Sequence, residues 1–242
     1  MTNPTAEALL AAADALRARL DALTFTPPAT HVYNPLDYAR DVHARWLHRY
    51  ATGARRVIFL GMNPGPFGMA QTGVPFGEIA AVRDWLKLHG EVGKPACENP
   101  AKPVTGFACP RSEVSGRRLW GLFAERFTTP DAFFAEHFVL NYCPLLFLDG
   151  TRNLTPDKLP AQQQTALLAA CDEHLRRAVE ILRPQHLVGV GAWSAKRAAA
   201  ALGAQTQVRI GQVLHPSPAS PAANRGWAQA ATRQLQEQGI WH

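Results

Sequence analysis

The chain has 242 residues, 47% of them hydrophobic, with a formal net charge of +6 and a pI near 9.5. That is enough apolar material for a sizeable core and the usual size of a single α/β domain, expected to span 1–242 with N-terminal helices (about 4–50) packed on it. No apolar run approaches membrane-spanning length, no basic and apolar leader opens the chain, and Cys97, Cys109, Cys143 and Cys171 contain no C-x-x-C pair. Membrane insertion, secretion and a tetrahedral zinc site are thereby excluded as readings, and the expectation is a soluble protein with reduced thiols. Arg outnumbers Lys, which suits an acidic partner because guanidinium groups grip phosphate through two hydrogen bonds.

In chain order, residues 4–23 place Leu9, Leu16, Leu20 and Leu23 on one helical face, with Asn3 as N-cap and Pro4 at the first helical position. A Pro27-Pro28 break follows, and Asn34-Pro35 starts a second helical stretch carrying Leu36, Val42 and Trp46 inward. Four short apolar runs read as buried strands: 57–60, 138–140, 186–190 and part of 208–214. Helical patterns lie between them at 79–88, 117–127, 159–182 and 194–202. This alternation predicts a doubly wound α/β fold with a central, mostly parallel four-stranded sheet flanked by helices. Residues 90–111, rich in Gly, Pro and Lys without periodicity, read as a long surface excursion. The polar segments 63–78, 141–144 and 215–227 all follow strands, so they should converge beyond the carboxyl ends of the sheet, where such folds bind ligands.

The first of these segments runs Gly61-Met62-Asn63-Pro64-Gly65-Pro66-Phe67-Gly68-Met69-Ala70-Gln71-Thr72-Gly73-Val74-Pro75-Phe76-Gly77-Glu78. Its glycines and prolines build a tight backbone that a ligand can approach closely. It lacks the G-x-G-x-x-G spacing of a dinucleotide site, and the strand ending near Asn141 offers no acidic residue to a ribose. With Asn141-Tyr142-Cys143-Pro144-Leu145, Ser115-Gly116 before Arg118 and Trp120, Asn153-Leu154-Thr155-Pro156, and His215-Pro216-Ser217-Pro218 through Asn224 to Gly226-Trp227, this block resembles the single-strand-selective monofunctional uracil-DNA glycosylases of the uracil-DNA glycosylase superfamily. The resemblance spans about residues 55–230.

The resemblance implies that Asn63 orients the attacking water. Other branches of the superfamily carry aspartate there, and an amide cannot take the water's proton, so the reaction should lean on leaving-group departure. It implies that Asn141 reads the flipped base, its carbonyl accepting uracil N3–H and its amino group donating to O4, a polarity that cytosine reverses at both atoms. His215 would donate to O2 as charge builds on the departing base. Phe76 would stack on the base, and Met62, Gly65 and Met69 would shape the pocket near C5, admitting 5-hydroxymethyluracil and damaged bases such as xanthine. The proline-stiffened run Pro216, Ser217, Pro218, Ala219, Ser220, prolonged by 222–227 into a helix, would wedge into the base stack. Better-known relatives carry Arg-Asn where this chain has Ala219-Ser220, which leaves Arg225 or a neighbouring segment to fill the gap behind the flipped base.

The expected partner is therefore uracil-containing DNA, single- or double-stranded, bound by a monomer with no membrane, metal or cofactor. Location would be cytoplasmic at the nucleoid in a bacterium and nuclear in a eukaryote. No lysine lies in the three segments, so water attacks the sugar and no lyase step follows. The cysteine spacings lack the close pair used by the iron–sulfur clusters of other branches. A binding-only module for damaged DNA and a hydrolase of free nucleosides or nucleotides are the competing readings.

Overall fold

The computed structural model describes residues 3–242. Helix α1 (Pro4–Asp21) starts where expected: Asn3 Oδ1 accepts the Ala6 N–H at 3.2 Å, satisfying an orphan donor of the first turn, with Pro at the position where a missing N–H costs nothing. Leu9, Leu16 and Leu20 are buried, whereas Leu23 lies past the helix end, half-buried. Strand β1 (His31–Tyr33) precedes α2 (Pro35–Tyr38), which Asn34 caps, and α3 (Arg40–Tyr50), which buries Val42 and Trp46.

The central sheet comprises β2 (Val57–Gly61), β3 (His137–Asn141), β6 (His186–Val190) and β7 (Arg209–Val213), all parallel in the order β3-β2-β6-β7. Every residue of β2, β3 and β6 is buried. Strands covered by helices on both faces need apolar side chains on both, which is why they read as unbroken runs rather than alternating ones. Between β2 and β3 run α4 (Met69–Thr72), α5 (Val114–Phe127) and α6 (Pro130–Phe134); α7 (Ala161–Leu182) leads into β6, α8 (Ala192–Leu202) into β7, and α9 (Pro221–Asn224) and α10 (Trp227–Glu237) close the fold.

Three expectations change. A second, antiparallel sheet of order β1-β4-β5, using β4 (Leu146–Asp149) and β5 (Arg152–Leu154), was not foreseen, because strands of three or four residues leave too little pattern to read. The expected helix over 79–88 contains one wide turn of π type over Ala81–Trp85. The stretch 222–227 is not one helix: α9 ends at Asn224, and Gly226, at φ 137°, turns the chain before α10.

The excursion at 90–111 is irregular but anchored. Buried Gln71 donates from Nε2 to the carbonyls of Pro66 and Pro103 and accepts at Oε1 from the N–H groups of Thr105 and Gly106. Tyr33 Oη donates to the Lys102 carbonyl at 2.8 Å. All four cysteines are free. Among the described residues no three His, Cys, Asp or Glu side chains gather as a metal would require, and no helix is long and apolar enough to cross a membrane.

Candidate active site

The parallel register carries the site. β2 and β3 pair from Val57↔His137 to Gly61↔Asn141. The ladder then runs one step past the strands, with Tyr142 N donating to Gly61 O and Cys143 N to Met62 O, both at 2.9 Å. The chain after β2 and the chain after β3 thus leave the sheet side by side, which places Asn63 and Asn141 at one end of it. A cleft there is lined by Met62, Asn63, Pro64, Gly65, Met69, Phe76, Glu113, Ser115, Asn141 and His215. All seven residues assigned to catalysis or to the base on sequence grounds lie in that lining.

The Asn63 amide is fixed by its nitrogen, which donates to Leu145 O at 3.2 Å and lies 3.5 Å from Pro64 O and Leu154 O. The second sheet thereby serves the site, since β5 ends at Leu154. The donor side of the carboxamide is spent on carbonyls, and Oδ1 is left as an acceptor for a water O–H.

Asn141 is 9% exposed, and its Nδ2 faces Met69 Sδ at 3.3 Å, a weak acceptor that gives way readily to a carbonyl. Its Oδ1 lies over Gly61, as does the Phe76 ring: a Cβ built on Gly61 would overlap Asn141 Oδ1 and approach Phe76 Cε2 to 2.5 Å. Gly61 therefore has no room for a side chain beneath the carboxamide and the aromatic ring. Phe76 sits at φ 54°, which a bulky side chain adopts only when its surroundings hold it there. Those surroundings are Gly77 N donating to Val74 O at 2.8 Å and the start of α5, where Gly116 lies so close to Phe76 O that a Cβ would collide with it.

His215 follows β7, half-buried, its ring against Gly191, whose φ of 94° and missing side chain admit it. Its Nδ1 lies 3.1 Å from the Ser217 backbone N–H. An N–H can only donate, so Nδ1 accepts, and Nε2 carries the proton of the neutral ring. Burial pushes the pKa of this imidazole below its ordinary value, so it meets the cleft as a neutral hydrogen-bond donor.

The loop after His215 is built by local caps: Ala219 N donates to Ser217 Oγ, Ser220 N to Ser217 O, and Ser220 Oγ caps α9. Arg118 of α5 binds it from the side, donating from Nη1 to Pro216 O at 3.0 Å and Ser217 O at 3.3 Å and from Nη2 to Asn224 Oδ1 at 2.8 Å. Pro216 is buried, Ser217 and Ser220 are half-buried, and Pro218, Ala219 and Arg225 are exposed.

Sequence reasoning gave no role to Gln71 or Glu113. Glu113 supplies the one carboxyl of the lining, and its oxygens occupy the space that side chains at Gly65 and Gly68 would need. Enclosure raises its pKa to about 7; the Gly65 N–H opposes the rise and Glu78 adds to it. A lone Glu carries no periodic or motif signal. The glycines at 65 and 68 do, but only the structure shows what they make room for.

The family model of the uracil DNA glycosylase superfamily matches residues 48–236. The single-strand selective monofunctional uracil-DNA glycosylase of Rattus norvegicus is 51% identical over 227 residues, covering 93% of this chain and 82% of that protein. Its Mus musculus counterpart is 50% identical over 241 residues, covering 99% and 86%. Among solved structures, the SMUG2 protein of Pedobacter heparinus superposes with a TM-score of 0.65 over 94% of this chain and 97% of that one. At 18% identity, that likeness concerns the fold alone.

Proposed function

The chain belongs to the uracil DNA glycosylase superfamily, and from that premise we propose that it is a monofunctional glycosylase removing uracil from DNA, single- or double-stranded. The observation that carries the reading is one cleft at the end of the parallel sheet whose lining brings together the Asn141 carboxamide, the Phe76 ring, Asn63 and His215. The flipped base lies on Phe76 and is read by Asn141. A base with the wrong hydrogen-bond polarity leaves buried groups unpaired there, at about 1–3 kcal/mol each. Met62, Gly65 and Met69 border the rest of the ring and leave a C5 substituent to be accommodated, which extends the substrates to 5-hydroxymethyluracil.

The C1′–N1 bond breaks with its electron pair leaving on the base, and His215 Nε2–H donates to O2 as that charge develops. Water held by Asn63 Oδ1 bonds to C1′ and passes its proton to solvent, leaving an abasic site. The exposed tip of the loop, Pro218 and Ala219, enters the stack where the base has left, carried by buried Pro216 and by Ser217 and Ser220 at its flanks, and exposed Arg225 meets the DNA. The protein acts as a monomer.

Single-turnover cleavage of an oligonucleotide with one uracil tests this. Wild type should release uracil and leave an alkali-labile site. His215→Leu should be slower by about 10²–10³, the usual cost of one lost donor to a developing anion, and Asn63→Ala should lose rate while retaining DNA affinity. Wild type that binds uracil DNA without cutting it would make the protein a binding module and end the glycosylase reading.

A further inference from the structure

Two cations flank one aromatic ring on segments that adjoin the cleft lining. Phe67 stands between Gly65 and Met69, both in the lining, and Arg111 stands two residues before Glu113, also in the lining. Lys102 Nζ lies 5.1 Å from the centroid of the half-buried Phe67 ring and Arg111 Cζ lies 4.2 Å from it. Neither cation belongs to an ion pair among the described residues, although Lys94 of the same excursion pairs with Glu98 at 3.0 Å.

The placement is built. Gln71 Nε2 bridges the carbonyls of Pro66 and Pro103, the neighbours of Phe67 and Lys102 respectively. The Lys102 backbone is held again by Tyr33 Oη at its carbonyl and by Asn99 O at its N–H. One buried amide thus fixes the ring against the segment that carries the ammonium. The ring face attracts each cation, but two like charges brought to one ring repel each other unless an anion answers them. No carboxylate among the described residues does so, which leaves both cations free to take an anion from outside.

We propose that Lys102 and Arg111, seated on Phe67, form a site for backbone phosphates of the DNA strand beside the flipped nucleotide. This rests on the glycosylase reading for the identity of the polyanion. Arg111 can grip a phosphate through two hydrogen bonds while Lys102 acts as a point charge. With the His215–Arg225 loop it gives the strand two separate holds beside the cleft.

The test measures affinity for a single-stranded oligonucleotide carrying an uncleavable 2′-fluorinated deoxyuridine, as a function of salt. For single strands each phosphate contact contributes about 0.7 to the slope of log affinity against log salt, so Lys102→Ala/Arg111→Ala should lower it by about 1.4. Phe67→Leu, which keeps apolar volume and loses the aromatic face, should weaken binding in the same direction by less. As a control for net charge, Arg183→Ala/Arg209→Ala removes two exposed cations near the amino ends of β6 and β7 and should leave the slope unchanged. An unchanged slope in the Lys102/Arg111 variant, or an equal fall in the control, overturns the proposal. Wild-type cleavage of the unfluorinated oligonucleotide is read in parallel: its absence would sink the glycosylase reading, while the slopes still judge the phosphate site.

Discussion

A methyl group at position 61 would have nowhere to go, because Asn141 Oδ1 and the Phe76 ring already close over that backbone. Moving them apart would cost about 1–3 kcal/mol, the range for overpacking a filled site. The displaced groups would be the two that the proposed mechanism uses to read and stack the base. Gly61→Ala should therefore fold, melt at a moderately lower temperature, and lose most single-turnover excision of uracil. Wild-type excision by that variant would show that excision does not depend on the positions of Asn141 and Phe76. In the sequence, Gly61 is one of the glycines of the tight segment that follows the apolar run 57–60, and what singles it out is the register that sets it opposite Asn141. Asn63, Asn141 and His215 were legible because a long motif surrounds them, and their hydrogen-bond directions were not. That Asn63 spends its nitrogen on Leu145 O, and that His215 Nδ1 accepts from Ser217 N, depend on backbone groups brought in by folding.

At the scale of elements, β2, β3 and β6 were readable because strands covered on both faces run nearly unbroken in apolar residues, whereas β7, with Arg209 and Gln212 exposed, was readable only in part. The sheet of β1, β4 and β5 was not readable, since its residues gain meaning only from long-range pairing such as Val32↔Phe147. The exposed edge of the central sheet is managed by side chains: Gln238 bonds both the N–H and the C=O of Gln212, and Gln234 Oε1 accepts from Leu214 N. These stand in for a missing strand and discourage edge-to-edge pairing. Helix α5 has the most consequential position. Its start presses Gly116 on the Phe76 turn, and Arg118, one turn of helix from the cleft-lining Ser115, binds the loop that follows His215. Arg118→Ala removes all three of those bonds and leaves the loop to its local caps. Faster amide hydrogen exchange over 217–224 should follow, along with weaker DNA binding and a smaller loss of rate than His215→Leu causes. Unchanged exchange in Arg118→Ala would mean that prolines and caps alone hold the loop.

For the whole molecule, stability below neutral pH turns on groups shifted within the range from about 4 to 7, and these oppose one another. Burial depresses the imidazoles of His43 and His137 to about 4, and both residues are also nearly inaccessible by surface area, at 6% and 2%. His174 is lowered to about 4 as well, although as a residue it is half-exposed and counts for less. Each takes up a proton near pH 6.5 once unfolded but stays neutral in the fold, so its stabilising contribution is full above 6.5 and is lost as pH falls toward 4. Glu113, half-buried by the same measure as His174, has the reverse effect. Held near 7 in the fold against 4.5 for the ordinary carboxyl, it keeps a proton that the unfolded chain releases, and so favours the fold as pH falls from 7 to 4.5. The lowered carboxylates, Asp14, Asp41, Asp84, Glu98 and Asp157, act below their ordinary values and leave this window alone. Two deeply buried histidines outweigh one carboxyl, so unfolding should take up protons, and each net proton is worth about 1.4 kcal/mol per pH unit. Stability from urea unfolding should therefore fall between pH 6.5 and 5. Glu113→Gln sharpens the test, because it deletes the opposing group while keeping the shape that Gly65 and Gly68 accommodate. It should make the acid-side fall steeper and, relative to wild type, raise stability at pH 8 more than at pH 5. A wild-type protein that grows more stable between pH 6.5 and 5 would show that the histidines are not held neutral, and a variant with an unaltered pH slope would show that Glu113 is not held protonated.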